Sequence, residues 1–140
     1  MTDLQKMKNW LQQYPGWDTN GELFVDYIDG VAGNWGLYVT GLQERNRTQD
    51  VQGNATAENR YTFTLYRLVA APQKQEAFAA WLLDFQQWVQ RESAQGRAPA
   101  FGDVPSKELL CAHSGRLESV SKNGAARYAL QLTADFVKYY

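Results

Sequence analysis

The chain has 140 residues, of which 44% are hydrophobic and 21% charged, with a formal net charge of −1. That size fits one domain spanning residues 1–140 with a single core, and the charge balance lacks the basic excess that nucleic-acid binding leaves behind. A lone cysteine, Cys111, excludes an internal disulfide framework, and no apolar run approaches the length of a membrane span.

Aromatic residues are abundant: five Trp, eight Tyr and six Phe. They either fill the core or anchor interfaces. The start, Met1-Thr2-Asp3-Leu4, lacks the basic and apolar regions of a secretory signal. The expectation is therefore a cytosolic protein, and the sequons at Asn46 and Asn54 read as coincidence.

The spacing of Leu4, Met7, Leu11 and Tyr14 predicts a helix over residues 3–14, with Thr2 and Gln5 at capping-box spacing and Pro15-Gly16 ending it. Glu22 to Ile28 reads as a strand, and Asp29-Gly30 as a hairpin or tight turn. A second strand follows at Trp35 to Thr40, weakened by Gly33 and Gly36. Residues 41–59 carry only Leu42 and Val51 as large aliphatics. A stretch of this kind is either a mobile functional loop or a pair of strands projecting from the body, and the first reading is preferred. Arg60 to Leu68 alternates as a strand, with Tyr61, Phe63 and Leu65 on one face.

Pro72 opens the strongest helix, over about residues 73–94. Phe78, Trp81, Leu82, Phe85, Trp88 and Val89 form one apolar face, whose burial is worth on the order of 10–15 kcal/mol before entropy is subtracted. A loop at 96–105 leads to two last strands joined by Ser121-Lys122-Asn123-Gly124, a hairpin signal. The incoming strand runs from Glu108 to Val120 with a break at Ser114-Gly115; the outgoing one places Tyr128, Leu130, Leu132, Ala134 and Phe136 inward. The expected fold is α+β, in the order α-β-β-β-α-β-β, with an antiparallel sheet covered on one face by two helices.

Candidate chemistry is sparse. His113 is the single histidine and shares a strand face with Cys111, which is short of the donors a metal needs and has no assigned acidic partner. Asp29 is a turn residue beside Gly30, whereas Asp26 falls on an otherwise apolar face and would need a buried partner such as Arg. No phosphate-binding glycine motif is present. Arg45, Arg47 and Asp50 give the 41–59 segment mixed charge, which suits the rim of a protein contact. Trp17, Trp35, Tyr139 and Tyr140 are spare aromatics that would suit an interface core. No catalytic, cofactor or metal site is therefore assigned, and the chain reads as a non-enzyme.

Several stretches resemble the tail-completion proteins of long-tailed bacteriophages and prophages, in particular the tail terminators often labelled minor capsid proteins. They are Val25-Asp26-Tyr27-Ile28-Asp29-Gly30 with Asn34-Trp35-Gly36-Leu37, then Tyr61 to Leu65, then Asp84 to Val89 leading to Gly96-Arg97-Ala98-Pro99, and finally Tyr128 to Leu132. The resemblance implies a hexameric ring of identical subunits that caps the tail tube and forms the head–tail joining surface. Its implied partners are further copies of the chain, the tube protein and head–tail connector proteins. Its implied location is the bacterial cytoplasm during assembly, then the virion. A competing reading is a small ligand-binding or hydrolytic α+β domain with a pocket lined by Tyr61, Phe63, Trp81 and Trp88.

Overall fold

A computed structural model describes residues 1–122 and 124–140. Helix α1 spans Asp3–Leu11 and is followed by strands β1 (Leu23–Val25), β2 (Trp35–Gln49) and β3 (Ala55–Ala70). Helix α2 (Gln75–Ala94), a 3₁₀ turn (Pro105–Lys107) and strands β4 (Leu109–Val120) and β5 (Ala125–Tyr139) complete the chain. The strands form one sheet in the order β1-β2-β3-β5-β4.

The α+β class stands, but the sheet is mixed. β1 pairs parallel with β2, Leu23 opposite Trp35, and every other pair is antiparallel. The hairpin expected at Asp29-Gly30 is therefore replaced by a crossing segment. The Asp29 carboxylate accepts from the Asn34 side chain at 2.8 and 3.0 Å and from the Val31 N–H at 3.0 Å. These bonds hold the segment in a wide turn across the sheet. Gly36 is the residue it crosses: a Cβ there would lie 2.8 Å from the Tyr27 carbonyl oxygen. The glycine that weakened the strand pattern is thus what admits the crossing.

α1 begins with the expected capping box, Thr2 Oγ1 accepting from the Gln5 N–H at 3.2 Å and Gln5 Oε1 accepting from the Thr2 N–H at 2.9 Å. It ends three residues earlier than its apolar spacing suggests, because residues 12–14 tighten into turns before Pro15. α2 ends at Gly96, whose φ of +72° is the left-handed conformation that lets the Arg97 N–H return to the Glu92 carbonyl at 2.8 Å.

The helices do not simply roof one face. α2 runs beside β4, where Ser93 Oγ accepts from the Leu110 N–H at 3.0 Å and Gln86 Nε2 donates to the Ala112 carbonyl at 3.3 Å. Its Phe78, Leu82, Phe85 and Val89 are buried with Leu37, Phe63, Leu65, Leu130 and Leu132 of the strands. This is the front face. α1 reaches the body through side chains: Trp10 stacks on Trp88 at 4.7 Å, and the Tyr61 hydroxyl donates to Asp3 at 2.6 Å.

β4 keeps the predicted irregularity, with a register shift between His113 and Arg116 and Ser114 at φ +59°. The turn expected at Ser121–Gly124 includes Asn123, which lies outside the described residues; the flanking β4 and β5 pair antiparallel.

Trp35 is 1% exposed, stacked on Trp17 at 4.0 Å, so it belongs to the core and offers no free surface. Trp35→Ala is expected to cost about 3–5 kcal/mol in urea unfolding, whereas Val51→Ala at the exposed hairpin turn should change stability by no more than about 0.5 kcal/mol.

Candidate functional site

β1 covers only the first three residues of β2. Asp26 ends that pairing. Its φ of +54° turns the chain away, its N–H donates to the Leu37 carbonyl at 2.9 Å, and its carboxylate accepts from the Val39 N–H at 2.9 Å. Asp26 is exposed, so the expectation of a buried acid paired with arginine is overturned; the acid serves as a cap on a strand edge.

Beyond this cap, residues 40–49 of β2 have β3 on one side and, among the described residues, no strand on the other. The mobile loop expected at 41–59 is in fact a twisted hairpin. Its strands pair from Gly41 opposite Thr62 to Gln49 opposite Ala55, with a bulge between Glu44 and Asn46. On the far side of β3 the last residues of β5 continue the ribbon, Thr56 lying opposite Tyr139. Most of β2 in this stretch is exposed on both faces, so no inward–outward alternation marks it as a strand.

Asp50 builds the connecting turn. Its carboxylate accepts from the N–H groups of Gln52 and Asn54, both at 2.9 Å, and from the Asn54 side chain at 3.0 Å. The Asn54 side chain, followed by the backbone donors, holds the Asp50 carboxyl below its ordinary value. Gly53 at φ +88° closes the turn. Val51 stands at its apex, fully exposed.

The other interface candidates gather around this distal end of the sheet, apart from Trp35 and Trp17, which are stacked on each other in the core. Arg47 pairs with Glu44 and lies 5.6 Å from the centroid of the Tyr140 ring. The Tyr140 N–H donates to the Ala55 carbonyl at 2.8 Å, which ties the last residue to the hairpin. The Tyr139 N–H donates to Asp103 at 2.8 Å, and both tyrosine side chains remain exposed. Arg45 sits 3.7 Å from Asp135, which also accepts two hydrogen bonds from Arg60 at 2.6 and 3.0 Å. The Arg60 hydrogen bonds hold the Asp135 carboxyl below the usual range against the effect of burial, and the charges of Arg60 and Arg45 add to them.

Sequence reading missed Val51 as an exposed aliphatic residue at a turn apex and missed the Arg60–Asp135 pair. Val51 carries a signal in retrospect, an aliphatic residue between turn formers. The ion pair joins strands 75 residues apart, which no local pattern can show.

Of the residues considered for catalysis, Cys111 and His113 keep the shared face of β4 expected of them, and Asp26 stays apart from both. Asp26 follows β1 and His113 lies in β4, at opposite edges of the sheet. His113 is exposed with its Nδ1 3.2 Å from Ser114 Oγ, and Cys111 pairs across to Thr133. Among the described residues, no group of three or more His, Cys, Asp or Glu is placed to hold a metal ion. Trp81 borders an open cleft of about 180 Å³ with Trp35, Phe78, Arg67 and Lys74. The other rings expected to line a pocket pack against core partners: Trp88 on Trp10, and Tyr61 on Phe63, Phe101 and Phe136. The Tyr61 hydroxyl is pushed up to about 12, chiefly by burial and next by its bond to Asp3. Among the described residues, no helix is long and apolar enough to cross a membrane.

No protein-family model matches the chain, and comparison with curated proteins finds no significant sequence similarity.

Asp135 supplies a pH-dependent link between β3 and β5. Its folded pKa is depressed, so its contribution is complete above the ordinary carboxylate value near 4 and disappears as pH falls through the lower folded value. Asp135→Asn should therefore cost roughly 1–2 kcal/mol at pH 7, and the gap from the unsubstituted protein should narrow at an acid pH below the ordinary carboxylate value. Urea titrations at the two pH values measure it; a gap that persists in acid would show that the charge is not the cause.

Proposed function

We propose that the chain is a tail-completion protein of the terminator type: a subunit that assembles into a ring, caps the phage tail tube and presents the surface to which the head is joined. The family resemblance supplies the specific role. The single structural observation that supports it is the distal ribbon. It is a largely polar extension of the sheet, tipped by an exposed aliphatic residue and two exposed tyrosines, with backbone along one side unpaired among the described residues. A contact with another protein uses such features, whereas catalysis needs converging polar groups in a closed site.

In this reading the ribbon meets the tube or the neighbouring subunit. Val51 and Tyr140 supply apolar contact, and Arg45 and Arg47 supply the charged rim. The protein acts in the bacterial cytoplasm during assembly and remains in the virion. No bond is made or broken, so the free energy of capping comes from buried surface at the ring and tube contacts.

Mixing the purified chain with tail tube protein tests the role. Sedimentation should show a ring-sized species, and electron microscopy should show tubes that stop growing at the capped end. A chain that stays monomeric at every concentration, with and without tube protein, refutes the proposal. The double substitution Val51→Asp and Tyr140→Ala should leave folding stability within about 1 kcal/mol of the original and abolish capping.

A further inference from the structure

We infer that neighbouring copies join edge to edge, with the open edge of β2 in one copy pairing antiparallel with the later half of β4 in the next, so that Leu42 of one meets Leu117 of the other. The inference rests on the ring reading and names the contact that builds the ring.

Strand polarity comes first. β2 and β5 run in one direction and β3 and β4 in the other. β2 and β4 are also the long strands nearest the two margins of the sheet. A β4 placed beside the next copy's β2 therefore continues the antiparallel alternation across the junction. The two surfaces differ, so the contact is heterologous, the kind that closes a ring.

Selective capping of the edges comes second. The outward backbone of early β4 is occupied, Leu110 by Ser93 and Ala112 by Gln86. The outer side of late β5 is occupied by the loop at 102–103, where the Asp103 N–H donates to the Val137 carbonyl at 2.7 Å and the Asp103 carboxylate accepts from Tyr139. Asp26 occupies β2 at Leu37 and Val39. Among the described residues, apart from the outer side of the three-residue β1, the stretches left without a strand or such a cap are residues 40–49 of β2 and residues 116–120 of β4, both solvent-exposed for most of their length.

Register and face agree as well. Leu42 lies opposite Tyr61, two residues along β3 from Phe63, the partner of the outward-facing Val39. Leu117 lies opposite Tyr128, four residues along β5 from Leu132, the partner of the outward-facing Ala112. Even spacing preserves parity, so Leu42 and Leu117 both direct their free N–H and C=O away from their own sheets. Both side chains lie on the front face, that of Tyr61 and Tyr128, and they are 55% and 45% exposed. Each has a second exposed valine three positions away across a bulge, Val39 before Leu42 and Val120 after Leu117. Antiparallel pairing of Leu42 with Leu117 brings those valines toward one another and sets Gln43 opposite Arg116 on the back face. The open stretch of β2 is distal and that of β4 proximal, so successive sheets are staggered, as strands in a closed barrel must be.

A hydrogen-bonded antiparallel pair holds its Cα atoms about 5.5 Å apart, within disulfide range. In a Cys111→Ser background, the double variant Leu42→Cys and Leu117→Cys assembled on tail tube protein should oxidise to covalent multimers larger than dimers on a non-reducing gel. Each single-cysteine variant should stay uncrosslinked. Assembly of normal size without crosslinks, or dimers from either single variant at the same yield, overturns the pairing and leaves the ring reading standing. Failure of the unsubstituted chain to assemble under any condition overturns both. Leu117→Lys should retain the unsubstituted protein's circular dichroism and melting curve yet lose assembly roughly tenfold or more, and Leu42→Glu in the same chain should restore it. Unimpaired assembly of Leu117→Lys also overturns the pairing.

Discussion

One seam of stacked rings joins three parts of the chain that are distant in sequence. Trp17 lies on Trp35, Trp35 beside Trp81, Trp81 on Phe85, Phe85 beside Trp88 and Trp88 on Trp10, with centroid separations from 4.0 to 5.7 Å. All five tryptophans of the chain are in it. α1 depends on this seam more than on its own nine residues, since a helix of that length has little independent stability. The seam also accommodates a charge. Arg67 is buried with its guanidinium 4.1 Å above the Trp35 ring and 2.9 Å from Asp18. Burial lowers the Arg67 pKa while the Asp18 hydrogen bond and charge oppose that shift, so the cation is kept by one carboxylate and the rings of Trp35 and Phe78.

Concentrating the aromatic residues there divides the sheet into unlike halves. The proximal half is sandwiched by α2 and carries most of the hydrophobic burial. The distal half is the β2–β3–β5 ribbon, held by backbone ladders, by the Arg60–Asp135 pair and by the loop contact at Asp103. Local opening costs least where buried apolar contact is least, so the distal end is the part able to adjust to a partner without loss of the core. In the proposed assembly, a subunit that folds alone and then fits against its neighbours would benefit from that separation.

What the sequence disclosed follows the same division. The α2 stripe and the alternation at Tyr61–Leu65 and Tyr128–Phe136 were readable because those elements face a core on one side, which imposes a period. Residues 41–59 were not readable as strands because little of β2 there faces the core, and the hairpin is specified by partners in β3 and by the Asp50 turn. The parallel β1 was hidden for a related reason. Asp29-Gly30 has the composition of a hairpin, and only the Asn34 side chain, five residues on, converts it to a crossing. Among the candidate site residues, Arg45, Arg47, Asp50, Tyr139 and Tyr140 are exposed, as their polarity and their position outside the apolar periods suggest. Trp35 was misplaced because burial of an aromatic residue depends on which ring it meets, here Trp17.

Strand edges bring these observations together. An unpaired edge invites indiscriminate association, and proteins suppress it with short edge strands, charges, bulges or covering side chains. This chain uses each of those devices: a three-residue β1, the Asp26 cap, bulges in β2 and β4, and Ser93 and Gln86 over early β4. Protection of that extent at some positions gives meaning to its absence at others. The uncovered stretches carry Arg45, Arg47 and Glu44 on one margin and Arg116 and Glu118 on the other. Mixed charge of this kind discourages an edge from pairing with an identical edge in arbitrary register. In the proposed ring, an edge that resists pairing with its own copy meets a different edge on the neighbour, as a heterologous contact requires.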